Sequence, residues 1–187
     1  AIVAKGMGAD VTILDKSIKK IRELEAIFQG SINILYASSE NIERAVIEAD
    51  GVVGAVLIPG ATAPKVVSRK LISQMKKGSV VVDIAIDQGG CFETSKPTTH
   101  SNPVYVEEGV IHYCVTNMPG NLARTSSIAL ENATLPFVLE LAKSGVIKAL
   151  QNNPHLRNGL NVAKGKITNK AVAESLNYEF HEALSAL

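Results

Sequence analysis

Residues 79–91 read SVVVDIAIDQGGC, an apolar run that ends in a carboxylate and two glycines. The run contains one internal charge, Asp83, and is otherwise typical of a strand buried on both faces, as in a parallel sheet. Asp87 and Gln88 stand at its end, directly before Gly89–Gly90. The stretch therefore predicts a buried strand that carries Asp87 to its tip and then turns on the two glycines.

Apolar runs alternate with amphipathic segments on the amino-terminal side of this strand. The apolar runs are 9–15, 31–37 and 51–60, and the segments with helical spacing of apolar residues are 16–30, 38–50 and 65–78. Strands joined through helices of this length form parallel sheets with helices on both faces. The pattern predicts an α/β domain with a doubly wound, Rossmann-type parallel sheet.

The pattern changes after this strand. Residues 91–109 are polar and proline-containing, which predicts an irregular crossing, and residues 110–120 predict a last strand with a turn. A mostly apolar helix or helix pair is expected from Leu122 to about Leu150, and an amphipathic helix over roughly 169–185. We therefore expect a domain boundary near residue 120.

The composition argues against several classes of function. The 19 basic and 18 acidic residues give a formal net charge of +1 without a basic cluster, so we expect no nucleic-acid partner. No apolar run approaches the roughly 18 residues of a membrane helix, and no secretion signal is recognisable, so we expect no membrane partner. Only Cys91 and Cys114 occur, without the spacing of a metal or redox motif, which favours a reduced, cytoplasmic protein.

Asp15 ends the first apolar run, where the second strand of a Rossmann unit often carries the acid that binds the adenosine ribose. That acid lies about 20 residues after the glycine-rich phosphate loop, which places the loop upstream of Ala1. The glycines of residues 5–10 (KGMGAD) precede a strand rather than a helix, so we expect the first strand and the phosphate loop to be missing from this chain. Asp15 could alternatively cap the next helix, and nearby lysines such as Lys20 weaken its preference for NAD over NADP.

The carboxyl ends of the predicted strands should meet at one crevice, where open α/β sheets bind their ligands. Glycines at these ends would let the backbone approach a cofactor, although each alone is more often a turn residue: Gly60, Gly89, Gly90 and Gly120. Asp87 is better placed for catalysis than Asp83, which we expect to be a hydrogen-bonded structural carboxylate. His112 alternates with apolar residues and is expected to be packed, and no histidine of this chain is expected to be a general base.

Three long, ungapped stretches carry a family resemblance: 54–68 (GAVLIPGATAPKVVS), 80–100 (VVVDIAIDQGGCFETSKPTTH) and 112–142 (HYCVTNMPGNLARTSSIALENATLPFVLELA). They resemble bacterial L-alanine dehydrogenases, and the similarity runs from residue 8 to at least residue 145. Chains of this family begin with a catalytic domain, pass into an NAD-binding domain and return to complete the first domain. The resemblance implies that residues 1–120 are most of the NAD-binding domain and that residues 121–187 are a helical segment of the catalytic domain.

The resemblance implies an NAD-dependent enzyme that reversibly deaminates L-alanine to pyruvate and ammonium. It makes Asp87 the catalytic residue of this chain, beside the nicotinamide. The implied contacts with NAD are Asp15, Lys20, Val56, Leu57, Ile84, Ala85, Ile86, Asp87, Lys96, Val115, Thr116, Asn117 and Met118. The family's proton-transferring histidine, and the lysine and arginine that hold the substrate carboxylate, lie in its N-terminal domain, so the chain alone is expected to be inactive. Family members are commonly hexameric, which implies a homohexamer.

Three positions depart from the family pattern. Ala37 stands where many relatives have a serine on the adenosine side, and Lys96 stands where some have arginine. Glu140 matches a glutamate assigned to a metal in some relatives, but Ser144 replaces the partnering histidine. We therefore predict no metal.

Three alternatives stay open. The nearest is the NAD-binding component of a proton-translocating transhydrogenase, which would pass hydride to a second protein without acting on alanine. The stretches DQGGCFET (87–94) and NMPG with RTSS (117–127) favour alanine dehydrogenase over it. The others are a non-catalytic nucleotide-binding remnant and a saccharopine or opine-type dehydrogenase.

Overall fold

The computed structural model describes residues 1–56, 58 and 62–187. In chain order its first elements are α1 (Ile2–Gly6), β1 (Thr12–Asp15), α2 (Ile18–Phe28), β2 (Asn33–Tyr36), α3 (Ser39–Glu48), β3 (Gly51–Gly54), α4 (Arg69–Ser73) and β4 (Val80–Asp83). They are followed by β5 (Val104–Glu107), β6 (Val110–Tyr113), α5 (Ala123–Ser144), α6 (Val146–Asn152), α7 (Pro154–Arg157), β7 (Val162–Ala163), β8 (Lys166–Ile167), α8 (Lys170–Leu176) and α9 (Ala183–Ala186). Two 3₁₀ turns, Ile86–Gln88 and Met118–Leu122, follow β4 and β6.

The strands of the first two thirds of the chain pair mostly in parallel. β1 pairs with β2, and β3, β4 and β6 form a second parallel sheet in which β5 is an antiparallel edge strand beside β6. A helix joins each consecutive parallel pair, α2 between β1 and β2, and α4 between β3 and β4. This βαβ arrangement is that of a doubly wound α/β fold, so the predicted fold class is confirmed.

The described strands of this region form two separate sheets, β1–β2 and β3–β4–β6–β5. In the doubly wound strand order 3-2-1-4-5-6, β2 and β1 take positions 3 and 2, while β3, β4 and β6 take positions 4, 5 and 6. None of the strands that the structure describes corresponds to position 1 of this order.

Serine caps begin the three helices that follow β1, β2 and β3. The hydroxyl oxygens of Ser17, Ser38 and Ser68 accept hydrogen bonds from backbone N–H groups three residues later, at 3.2 to 3.3 Å. Each bond satisfies a donor that would otherwise have no partner at the helix N-terminus, which stabilises the helix by about 1 kcal/mol.

The core lies between the larger sheet and the helices α3 and α4. Its buried side chains include Val46 from α3, Ile72 from α4, Val81 from β4 and Val110 from β6, and the ring of Phe92 packs among them. Because Phe92 is fully buried, its replacement by alanine would cost about 3–5 kcal/mol. The residues after β4 are therefore anchored in the core.

Strand β4 is shorter than the sequence predicts. The apolar pattern predicts a strand through Asp87, but the strand ends at Asp83 and the chain enters a 3₁₀ turn at Ile86–Gln88. The physical reason is the side chain of Asp83, whose Oδ1 accepts a hydrogen bond from the N–H of Ala85 at 3.1 Å. A local bond of this kind replaces the sheet ladder and bends the backbone.

Two further sequence predictions were wrong in their local structure. The stretch 91–109 contains strand β5, which forms a tight hairpin with β6 through Glu108–Gly109, both at positive φ. The single helix predicted over 169–185 is divided into α8 and α9, because α8 ends at Asn177 in the left-handed conformation. The helix pair predicted after Leu122 is confirmed as α5 and α6.

Helix α5 exposes apolar side chains around its whole circumference. None of its residues is buried, and Leu130 is 65% exposed. Apolar surface of this extent marks contact with another structural unit. None of the helices in the described part of the chain is long and apolar enough to span a membrane.

His112 is packed inside the larger sheet, as predicted. Its Nε2 lies 2.7 Å from the hydroxyl of Thr94, its Nδ1 lies 2.9 Å from the carbonyl oxygen of Val110, and Tyr105 stacks on its ring at 4.9 Å between centroids. A neutral ring satisfies both contacts, with Nδ1–H donating and Nε2 accepting. Burial lowers the pKa of His112, so the neutral form is favoured.

Replacement of His112 by glutamine should weaken the pH dependence of stability. The unfolded chain binds a proton at this histidine below about pH 6.5, whereas the folded chain resists it, so the free energy of unfolding falls as the pH decreases below that value. Urea unfolding between pH 5 and pH 7 should show a flatter profile for His112→Gln than for the parent protein. His155→Gln, at an exposed position, is the matched control and should keep the parent slope. Identical slopes for His112→Gln and the parent would refute the prediction.

Candidate functional site

The carboxyl ends of β3, β4 and β6 lie at the same edge of the larger sheet. The strands are parallel, with Gly54 opposite Asp83 and Val82 opposite Tyr113. The segments that follow them therefore leave the sheet side by side. They carry Val56, the run from Ile84 to Asp87, and the run from Val115 to Met118, so the structure brings these three groups of predicted site residues together.

A fully buried carboxylate organises the segment after β4. Oδ2 of Asp83 accepts hydrogen bonds from the N–H of Cys91 at 2.8 Å, the N–H of Phe92 at 3.4 Å and the hydroxyl of Ser95 at 2.5 Å. Its Oδ1 accepts the bond from Ala85 already described. A buried charge is stable only when its hydrogen bonds are satisfied, and these four donors satisfy it. The predicted structural role of Asp83 is confirmed.

Both glycines of the opening stretch have left-handed backbone, and Gly90 also makes room for that carboxylate. Gly89 and Gly90 have φ of 90° and 79°, a region that residues with a side chain rarely adopt. A Cβ added to Gly90 would lie 2.5 Å from Oδ2 of Asp83 and 2.8 Å from Cβ of Ser95. Gly90 is therefore required both for the backbone conformation and for the close approach of the turn to Asp83.

Lys65 binds the same turn from the other side. Its Nζ donates to the carbonyl oxygens of Gly89 at 2.5 Å, Gly90 at 3.0 Å and Phe92 at 3.1 Å. Sequence reasoning did not single out this lysine, because it lies 24 to 27 residues from its acceptors and no local pattern connects them. The one sequence feature that pointed to Lys65 was its position within residues 54–68, the first of the three stretches that carry the family resemblance.

Asp87 is exposed at the apex of the segment between Asp83 and Gly89. Ile84 is also exposed, at 55%, whereas the side chains of Ala85 and Ile86 are buried. The carbonyl oxygens of Ala85 and Ile86 accept hydrogen bonds within the turn, so the structure does not expose these two predicted NAD contacts. This segment thus exposes an apolar side chain, Ile84, and a carboxylate, Asp87.

Asn117 stands at the start of the 3₁₀ turn after β6. It adopts the left-handed conformation with φ of 55°, which asparagine tolerates better than most residues, and its carbonyl oxygen lies 3.1 Å from Nε2 of His100. Thr116 is exposed and Met118 is half-buried, but Val115 is fully buried, so in this structure its predicted contact with NAD has no exposed surface. The turn thus holds Asn117 at the same edge as Asp87.

Val56 leaves β3 with its side chain 37% exposed. Its carbonyl oxygen accepts a weak hydrogen bond from the thiol of Cys91 at 4.0 Å, and burial raises the pKa of that thiol. This contact joins the segments that follow β3 and β4. The predicted site residue Leu57 and the predicted turn glycine Gly60 lie outside the described residues.

Asp15 and Lys20 lie at the end of the smaller sheet. Oδ1 of Asp15 accepts a bond from the N–H of Ser17 at 2.7 Å, and Ser17 is the residue that caps α2. The alternative role of Asp15 as the helix cap is therefore wrong. Lys20 forms a surface ion pair with Glu23 at 3.2 Å. The two sheets are connected through α3, which packs against β1 and α4.

Lys96 forms an ion pair with a carboxylate of the β5–β6 hairpin. Its Nζ lies 2.8 Å from Oε2 of Glu107, and Arg69 contacts the same carboxylate at 2.6 Å. The hydrogen bonds from Lys96 and Arg69 lower the pKa of Glu107 to about 2, so this carboxylate remains ionised. The Lys96 side chain is 64% exposed and its ammonium group has three N–H donors, so the ion pair does not exclude the predicted contact with NAD.

The sheet topology and this edge define a nucleotide-binding class of α/β domain. The chain belongs to the family described as alanine dehydrogenase/PNT, C-terminal domain, whose model matches residues 1–170. An alanine dehydrogenase of Halomonas elongata is 55% identical over all 187 residues, which cover 50% of that protein. The family resemblance seen in the sequence is confirmed.

Solved structures agree with this assignment. An L-alanine dehydrogenase structure superposes with a TM-score of 0.83 at 45% identity, over 94% of this chain and 48% of that chain. A transhydrogenase from Sinorhizobium meliloti has a TM-score of 0.68 at 22% identity, over 90% of this chain and 45% of that chain, and so shares the fold alone. The chain spans about half the length of the curated relatives it matches.

Replacement of Gly90 by alanine should destabilise the protein more than the same change at Gly78. Both glycines have positive φ, at 79° and 82°, but an added Cβ at Gly78 meets nothing within 4 Å. Gly78→Ala should therefore cost only the backbone strain, about 1–2 kcal/mol, and Gly90→Ala a further ~1–3 kcal/mol for displacing Asp83 and Ser95. Chemical unfolding measures both values, and equal losses would contradict the packing of Gly90 against Asp83.

Proposed function

We propose that this chain forms the NAD-binding part of an L-alanine dehydrogenase, an enzyme that reversibly converts L-alanine to pyruvate and ammonium. The observation that carries the proposal is the exposed carboxylate of Asp87 at the edge where three parallel strands end. The membership of the family and the 45% identity to an L-alanine dehydrogenase of known structure support it.

The residues at the edge of the sheet fit a dinucleotide. The exposed side chains of Ile84 and Val56 offer apolar surface to a flat ring, and the exposed carboxylate of Asp87 lies on the same segment as Ile84. At the smaller sheet, Asp15 retains Oδ2 as an acceptor for ribose hydroxyls. NAD is therefore the cofactor that we propose for this site.

Asp87 would act on the substrate through its negative charge. Bound NAD⁺ supplies the hydride acceptor of the reaction. Loss of hydride from the substrate leaves positive charge on the carbon and nitrogen of alanine, and a fixed carboxylate stabilises that charge as it develops. The carboxylate can also accept a hydrogen bond from the attacking water, which orients it toward the carbon.

The remaining catalytic groups are proposed to lie outside this sequence, since the relatives are about twice as long. They would supply the proton-transferring histidine and the cations that hold the substrate carboxylate. The apolar surface of α5 supports an assembly of several subunits, and we propose a cytoplasmic homohexamer.

Replacement of Asp87 by asparagine should lower kcat by about 100- to 1,000-fold with little change in the affinity for NADH, because a fixed transition-state charge is lost while the fold is kept. The assay is alanine-dependent NADH formation at 340 nm by the native full-length protein. Asp10→Asn is the matched control, since Asp10 is exposed at the amino end of β1 and away from the site. Absence of alanine-dependent reduction in the parent protein would reject the function, and a fully active Asp87→Asn would reject the role of the residue.

A further inference from the structure

We propose that Lys65 is a positioning residue that, together with the buried Asp83, fixes the turn carrying Asp87 and links it to the segment after β3. The inference rests on the proposed function, because Asp87 is the group whose position matters for the reaction. Nothing in the mechanism described above uses Lys65.

The two charges hold one peptide group between them. The carbonyl oxygen of Gly90 accepts from the ammonium of Lys65 at 3.0 Å, and the N–H of Cys91 in the same peptide unit donates to Oδ2 of Asp83 at 2.8 Å. The peptide dipole therefore points its negative end at the lysine and its positive end at the carboxylate. Hydrogen bonds to charged groups are the stronger ones in proteins, so the peptide is held firmly at both ends.

The turn occupies all three hydrogen-bond donors of the Lys65 ammonium group, which leaves none for a ligand. An ammonium group has three N–H donors, and Nζ has three carbonyl acceptors, on Gly89, Gly90 and Phe92. A lysine near a nucleotide site is often assigned to a phosphate group. Here that assignment would require the turn to lose all three of these bonds.

The segment that contains Lys65 is bonded to the turn along its length. The N–H of Ala63 donates to the carbonyl oxygen of Gln88 at 2.8 Å, and the N–H of Val66 donates to that of Cys91 at 2.8 Å. Residues 63–66 directly follow the segment after β3, which carries Val56. Lys65 and its neighbours therefore join residues 63–66 to the base of the loop whose apex is Asp87.

The test uses Lys65→Met in the native full-length protein, with Lys76→Met as the matched control. The ammonium group of Lys76 also donates a hydrogen bond, to Asp50 at 2.8 Å, but Lys76 lies outside the turn. Lys65→Met should lower kcat by about 10- to 100-fold while the KM for alanine stays within about twofold, since a displacement near 1 Å of a catalytic group has this effect. Lys65→Arg, which keeps the charge, should recover part of the loss, and Lys76→Met should behave as the parent.

Hydrogen exchange of residues 84–92 separates this proposal from the proposed function. Faster exchange of these amides in Lys65→Met, together with weaker NADH binding, would support the positioning role even if the parent protein does not oxidise alanine. Unchanged exchange and unchanged NADH binding in Lys65→Met would overturn it. A loss of kcat that only follows the fraction of unfolded protein, with normal exchange in the folded fraction, would also overturn it.

Discussion

The carboxylate of Asp83 bonds the end of β4 to the turn that follows, and the rest of the site depends on this interaction. Its two oxygens accept hydrogen bonds from the N–H groups of Ala85, Cys91 and Phe92 and from the hydroxyl of Ser95. These bonds end the strand, close the loop around Asp87 and place Phe92 in the core. A buried charge that loses such partners is strongly destabilising, so the loop has one favoured conformation.

The hydrogen bonds of Asp83 explain why apolar residues, two aspartates and two glycines occur together in residues 79–91. The apolar residues bury β4, and Asp83 is tolerated inside the protein because the backbone beyond it supplies donors. Gly90 is required because a Cβ there would meet the carboxylate at 2.5 Å. Asp87 is exposed as a consequence, since the segment from Asp83 to Cys91 is closed at its base and its apex faces outward. The stretch 79–91 thus places one carboxylate in the interior and exposes another at the edge of the sheet.

The sequence predicted the features that arise from local patterns, and it failed where distant residues decide. Apolar periodicity predicted the parallel α/β fold, and the buried position of His112 followed from its alternation with apolar residues. The predicted end of β4 was wrong because the apolar pattern continues to Ile86, whereas the hydrogen bond from the N–H of Ala85 to the Asp83 side chain ends the strand. The role of Lys65 depends on carbonyl acceptors 24 to 27 residues away, and local sequence patterns do not predict contacts at that separation. Which side chains of the run 84–87 are exposed also required the three-dimensional structure.

The most direct test of this account is a crystal structure of the native full-length protein with NAD⁺ bound. The account predicts that the nicotinamide lies within about 4 Å of Asp87, against the backbone of residues 84–87, with the bonds from Asp83 and Lys65 to the turn unchanged. A nicotinamide bound away from Asp87, or a turn that abandons Asp83 when the cofactor binds, would contradict it.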